Sequence, residues 1–475
     1  MNLLHNTRCR WWCNVSSFCA VLVLHAGAAT QAVEINRVEP IKAWPLLEPP
    51  TYDSEMSVER LADGTLWAAW QAYYGGKEAI LARHVRDARQ GRFIQVSPRE
   101  GIHGHPDVVS MGANGAWVVW MSCDGGRWKV LARRITNEAA GDVVVVSPGG
   151  VDAVNPAAAR SGPAGMWVAW QALVGGRMTV QARRFEREQW TEPITVSNGE
   201  AEAFRPMVVA GKDGDEAWIL WDEYRELNYS VKARRLAQKL GKIEAVSPEG
   251  TYAVKPDAIV TTSGELWATW VETRDVIGGD AAIDQSNSAV VAVRRDGRWQ
   301  TVPDADGRHE IVSLDQGLLA RMAPKYVPTG GYLGERRKPM LLENDGSVWI
   351  VCERKSDESM RTPDAAGELV GREYRDGRWS EPRTLHRGLL DYHPGNRRSE
   401  NGAWTFAASR LPRETRRIHE RVDIIPAAAN AAKDDRVAGW SAVELPVRPR
   451  AAAPEKIQEN GRTLQLYWMD SHVHS

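Results

Sequence analysis

Near the C-terminus an apolar run ending in Leu466, Tyr467, Trp468 and Met469 delivers Asp470, His472 and His474 at alternate positions. Side chains two apart on a strand share a face, so these imidazoles can hold one divalent ion, and a bound ion of that kind polarises or hydrolyses substrates. His103 and His105 repeat the spacing, and Asp391 stands two residues before His393. A metal site needs three or four convergent ligands, which spacing alone does not supply for these stretches, so they read as turn residues. Carboxylates able to do acid–base work occur at Asp222, Glu223, Glu272 and Glu353, but their separation, which decides a glycosidase mechanism, is not written in the sequence. Basic pairs recur at Arg83-His84, Arg133-Arg134, Arg183-Arg184, Arg234-Arg235 and Arg294-Arg295.

The elements that carry these residues are announced by tryptophan. Trp67 and Trp70, Trp117 and Trp120, Trp167 and Trp170, Trp218 and Trp221, Trp267 and Trp270 recur with a period of about 50 residues, the mark of stacked or ringed modules. Residues three apart lie on opposite faces of a strand but on one face of a helix. The pairs are followed by Gly75-Gly76, Gly125-Gly126 and Gly175-Gly176, which are hairpin signals, so strands are expected. A strand with tryptophan on both faces needs cover on both sides, which a radial stack of sheets provides. The expected fold is all-β: a β-propeller of seven four-stranded blades between Thr51 and Val447. Six blades is the runner-up, because modules six and seven keep single tryptophans, Trp349 and Trp404, and Cys352 stands where the second would be.

Pro106, Pro156, Pro206, Pro256, Pro339 and Pro394 mark the first strand of six modules, with Met56 at that place in module one. Directly before the prolines stand His105, Asn155, Arg205, Lys255, Lys338 and His393, all polar and expected to ring the central channel. Loops joining the second and third strands fall on the same face. Insertions at 273–288 and 354–368, and a long connection from Pro303 to Lys338, enlarge it, and long loops on a rigid scaffold are where binding resides. One reading has these polar residues meeting channel water only. The other has Arg205, Lys255 and Lys338 holding an anionic or carbohydrate-like ligand.

A formal net charge of -1 and 25% charged residues leave no global pull toward nucleic acid. The basic pairs are accordingly expected at solvated edges and in ion pairs with neighbouring blades. Arg8 and Arg10, an apolar run from Val15 to Leu24 and Ala26-Gly27-Ala28 have the layout of a secretory signal cleaved near Ala28 or Ala32, a run shorter than the roughly 20 residues of a membrane span. The expected divisions are signal 1–32, N-terminal segment 33–50, propeller 51–447, linker 448–461 and the start of a further domain at 462–475. Export to the periplasm or beyond follows, with no membrane span after cleavage. Of five cysteines only Cys123 and Cys352 lie outside the signal. They belong to blades two and six, too far apart for the roughly 7 Å Cα limit of a disulfide, and are expected as buried thiols, which points to a bacterial periplasm.

The segment Arg462 to Ser475, with Asp470, His472 and His474, resembles the opening strand and first motif of the PHP (polymerase and histidinol phosphatase) family of metal-dependent phosphoesterases; Met469 and Ser471 depart from the glycine and leucine often found there. The resemblance implies that His472 and His474 are metal ligands and Asp470 a neighbour shaping the site. It further implies that the remaining ligands lie on a barrel beyond Ser475. On this reading the chain is an accessory, ligand-positioning propeller of an exported hydrolase, inactive alone, with a divalent metal only once the catalytic domain is supplied and no cofactor for the propeller itself. Two alternatives stand beside it. One is a self-contained, sialidase-like glycosidase, for which the nearest Asp-box stretch, Ser122 to Trp128, reaches its tryptophan one residue early and is not repeated. The other is a non-catalytic binding or scaffold propeller.

Overall fold

The computed structural model describes residues 52–74, 77–85, 93–112, 115–136, 139–162, 164–212, 214–277, 283–313, 338–355, 367–399, 403–410, 421–428, 456–459 and 462–465. Their regular structure is antiparallel sheet. Blade one is Tyr52–Arg60, Leu66–Tyr74, Lys77–Val85 and Ile94–Gln95, paired in chain order, and blade two repeats it with Ile102–Ser110, Gly115–Asp124, Arg127–Thr136 and Ala140–Val145. Blade three opens with Asp152–Ser161, Gly165–Val174 and Arg177–Glu186, blade four with Glu202–Ala210, Ala217–Arg225 and Asn228–Leu236, blade five with Tyr252–Val260, Leu266–Ile277 and Ile283–Arg295. Two-residue turns make the hairpins. Gly125 and Gly126, and Gly175 and Gly176, have φ between 59° and 81°, and Glu226 (51°) and Leu227 (63°) are likewise left-handed in blade four.

Modules six and seven share one sheet of eight strands. The strand Arg383–Pro394 pairs through its first half with Gly367–Arg375 and through its second with Ala403–Arg410, so it is outermost in one module and innermost in the next. The last module then meets the first, where the Arg60 N–H donates to the Gly395 carbonyl at 2.5 Å.

The tryptophan pairs explain the stacking. Trp67 packs with Trp120 of blade two, Trp117 with Trp170 of blade three, Trp167 with Trp221 of blade four, and Trp218 with Trp270 of blade five. Each seam therefore takes the first tryptophan of one blade and the second of the next. In the following seam Trp267 faces Cys352, the smaller residue at the second-tryptophan place, with Leu341 and Ile350 alongside. Trp349 then meets Trp404, ring centroids 5.2 Å apart. A buried aromatic removes 150–250 Å² from water, so these pairs dominate the cohesion between sheets. Cys123 and Cys352 are both buried, in different sheets.

Two differences from the sequence reading matter for the site. In blades two to five the inner strands begin four residues before the proline, which sits inside them beside a β-bulge: the register shifts between Gly104 and Asp107, Phe204 and Met207, and Val254 and Asp257, whereas Pro339 directly precedes Met340–Asn344 and Pro394 ends Arg383–Pro394. A bulge tolerates proline because its N–H is not needed by the ladder there. In addition, Lys456–Glu459, in the stretch expected as linker, pairs in a hairpin with Arg462–Gln465, at the start of the stretch expected as a further domain. Among the described residues no helix is long and apolar enough to cross a membrane.

Candidate functional site

Each bulge places one non-glycine residue in the left-handed region: Glu55 (φ 43°), His105 (49°), Asn155 (51°), Arg205 (48°) and Lys255 (59°). That conformation costs an L residue ~1–2 kcal/mol, and five consecutive blades carry it at one level of the channel. The cost is offset by side chains of the preceding blade that accept the twisted N–H groups. His105 N–H donates to Glu55 Oε2 at 2.6 Å, and Arg205 N–H to Gln171 Oε1 at 2.8 Å. Lys255 N–H donates to the Asp222 carboxylate. Gln171 Oε1 also accepts Asn155 Nδ2–H at 2.8 Å, so one amide ties its own blade to the next.

The ring is uneven in charge. On blades one and two Glu55 meets His105, Oε1 to Nε2 3.4 Å, with the imidazole about one-third exposed. On blade four the Arg205 guanidinium donates to Asp222, whose side chain is fully buried. Burial pushes the Asp222 carboxyl up to about 6, while Arg205 and the Lys255 N–H pull it back. Arg205 also lies 5.6 Å from the ring centroid of Tyr229 and 6.0 Å from that of Phe204. Tyr229 in turn packs at 4.8 Å on Tyr224 and at 5.3 Å on Tyr252. An anchored cation beside partly exposed aromatic faces suits an anionic, ring-bearing ligand.

On blade five Asp257 is fully buried and held by Arg397 at 2.5 and 2.9 Å and by the Leu341 N–H at 3.0 Å. Lys338 Nζ stands 3.5 Å from it. Burial opposes ionisation of Asp257, but Arg397 and Lys338 together hold its carboxyl below the usual range. Asp107 accepts Ser57 Oγ–H and the Ala158 N–H, at 2.7 and 2.8 Å, and is raised by burial with Lys338 pulling the other way. Lys338 is therefore engaged with carboxylates, and His393 pairs with Ala407 just after a register shift in its strand; neither has the left-handed backbone of the other ring members.

The remaining candidates separate. The bulge turns His103 and His105 into different surroundings: His103 is 1% exposed, and burial lowers its pKa. Among the described residues no three His, Cys, Asp or Glu side chains are grouped to hold a metal ion. Glu272 and Glu353 are buried at 3% and 5% exposure, while Glu223 is half-buried. Asp124 is exposed at a hairpin turn. The basic pairs divide in two. Arg133, Arg183 and Arg234 each donate to a carbonyl of the preceding blade, those of Val96, Val146 and Val196 at 2.9, 3.1 and 2.7 Å. Arg134, Arg235 and Arg295 form outer ion pairs, with Glu188, Glu216 and Glu265. Asp470, His472 and His474, and the expected signal, lie outside the described residues.

Two functional groups escaped the sequence reading. Glu55 belongs to the ring although module one lacks the proline that marks it; its place fifty residues before His105 was the available signal. The tyrosine cluster had a weaker one, Tyr224, Tyr229 and Tyr252 gathering at strand ends of two consecutive blades.

No family model and no curated protein matches the sequence. Among solved structures the chain is similar to a polysaccharide lyase of family PL25, an ulvan lyase bound to -[GlcA(1-4)Rha3S]-, at 8% identity and a TM-score of 0.50, over 80% of this chain and 93% of the lyase. It is also similar to a Penicillium chrysogenum alpha-L-arabinanase (11% identity, TM-score 0.35, 64% and 89% covered) and to a subtype N11 neuraminidase-like protein (10%, 0.39, 71% and 91%). The likeness to the lyase supports the propeller fold. The PHP phosphoesterase resemblance, which rested on a short terminal segment, is corrected: no family model matches, and the similarity to the lyase extends over 80% of this chain. The reading as an accessory module of such a hydrolase is corrected with it, because the sheets themselves correspond to nearly the whole of the lyase.

Proposed function

We propose that the propeller itself is the working unit, binding an acidic polysaccharide on the channel face and cleaving it by β-elimination. The observation that carries this reading is Arg205, anchored by the fully buried Asp222 and presented at about one-third exposure among tyrosines. A guanidinium there neutralises a uronate carboxylate and so acidifies the adjacent C5 proton. A base removes that proton, the electron pair forms the C4–C5 double bond, and the C4–O bond breaks as the leaving oxygen takes a proton from an acid. His105, whose part-exposed imidazole lies 3.4 Å from Glu55, is the ring residue whose side chain can both take up and release a proton, and it suits this transfer. Hydrolysis by two carboxylates has less support, since Asp222, Glu272 and Glu353 are buried away from a ligand. The lyase bound to a glucuronate-containing oligosaccharide supports the same substrate class. Export, argued from Arg8, Arg10 and the run to Leu24, agrees with a polymeric substrate.

The test is incubation of the purified protein with ulvan, polygalacturonate and uncharged arabinan. Ultraviolet absorbance of an unsaturated uronate, appearing only with the acidic polymers and lost in Arg205→Ala, is expected. New reducing ends without that absorbance would favour the glycosidase; no binding of any acidic polymer would refute the reading.

A further inference from the structure

Beside Arg205 the structure carries an aromatic surface that neither the fold nor the ion pairing explains. Tyr229, from the start of Asn228–Leu236, is its centre, packed on Tyr224 from the end of Ala217–Arg225, on Tyr252 from the start of Tyr252–Val260, and at 6.2 Å on Phe204. The rings come from two blades and meet beside Arg205, outside the tryptophan seams. Tyr252 remains 39% exposed. Its place is set: three residues on, Lys255 occupies the ring, and Arg205 lies over the neighbouring Tyr229. Burial pushes the hydroxyls of both Tyr229 and Tyr252 above their ordinary range, so both rings stay neutral in the pH range of interest. A neutral, half-open aromatic face abutting an anchored cation has two-part complementarity: the apolar C–H face of a pyranose for the rings and an acid substituent for the guanidinium.

Resting on the reading above, we infer that Tyr252, backed by Tyr229 and Tyr224, is a stacking platform that selects a pyranose bearing its acid group toward Arg205. Tyr252 acts through its face and its hydroxyl is dispensable. Neutral sugars lose the Arg205 contact, and small anions lose the platform, so neither is a sufficient ligand.

Calorimetric titration with oligomers of glucuronate and rhamnose 3-sulfate, set beside inorganic sulfate and a neutral arabino-oligosaccharide, tests this on the whole chain. Tyr252→Ala is expected to weaken oligomer binding about tenfold, while Tyr252→Phe and Tyr252→Trp stay within about twofold of the parent. Sulfate and the neutral sugar should bind weakly in every variant. Since Tyr252 is exposed, all three variants should keep the parent's melting temperature. Should Tyr252→Ala bind as the parent does while Arg205→Ala fails, the platform is wrong and the acidic site survives. Tyr252→Phe as weak as Tyr252→Ala would transfer the role to the hydroxyl and overturn stacking. If the parent binds none of the acidic oligomers, both the platform and the underlying reading fall.

Discussion

Arg205 and Asp222 link stability to binding in one contact. Removing the guanidinium leaves a fully buried carboxylate without its cation, a loss that costs several kcal/mol when both partners are buried; with Arg205 one-third exposed, about 2 kcal/mol is expected for Arg205→Ala. Adding Asp222→Asn removes the stranded charge. The double variant should therefore regain stability in urea unfolding but not oligosaccharide binding. Glu59 is a second residue whose charge is held at a cost. It accepts the Ser110 N–H at 2.5 Å, and burial pushes its carboxyl up to about 7, with Arg160 and that N–H pulling down and Asp107 pushing up. Its folded value lies above the unfolded 4.5, so its contribution to stability is full below pH 4.5 and is lost as pH rises through about 7. Asp222, about 6 against 3.8, acts in the same direction. Asp257, depressed, acts oppositely and only as pH falls below its unfolded 3.8. The melting temperature should fall between pH 5 and 8, and Glu59→Gln, which keeps an acceptor for Ser110, should flatten that slope. An identical slope in the variant would remove Glu59 as the cause.

Within the third strands, adjacent arginines that look alike in sequence do different work. Arg183 donates to the Val146 carbonyl of the preceding blade at 3.1 Å and to the Thr191 carbonyl of its own. Arg134 reaches only Glu188, at 3.3 Å, with both side chains more than half exposed. Arg183→Ala should cost ~1–3 kcal/mol by leaving carbonyls unsatisfied at a seam, whereas Arg134→Ala should change stability by less than about 0.5 kcal/mol. Chemical denaturation of the two variants measures the contrast; equal effects would deny the seam role. The bulge is the other instructive element. Pro106, Pro206 and Pro256 were legible as strand markers, but the left-handed residue before each depends on an acceptor from the neighbouring blade, Glu55, Gln171 or Asp222. No local pattern reveals that acceptor.

At the scale of the whole molecule the seams make the sheets interdependent, since each repeat covers its neighbour. The last repeat is no exception: Leu385, Tyr392, Trp404 and Phe406 bury Leu342 and Trp349, and Gly395 accepts from Arg60 of the first blade. A chain ending at residue 382 should uncover Trp349, shift tryptophan emission to the red and associate in solution. Unchanged emission and a monodisperse species would contradict the packing of the last repeat on its neighbours.

The tryptophan period, glycine-pair turns and alternating strands are local properties of a repeating chain, and from them the all-β propeller, its seams and the face bearing Arg205 and Lys255 could be read directly. The site's membership could not. Asp257 and Arg397 meet across 140 residues, Glu55 supports His105 from another blade, and Tyr252 joins Tyr224 and Tyr229 only where two blades abut. Such contacts arise when sheets pack radially and bring equivalent turns together around one axis. The terminal Asp470, His472 and His474, the most chemical-looking residues of the sequence, drew attention through spacing alone. The anchored arginine and its tyrosines became visible through burial, which gives a charge its function and is a property of the tertiary structure.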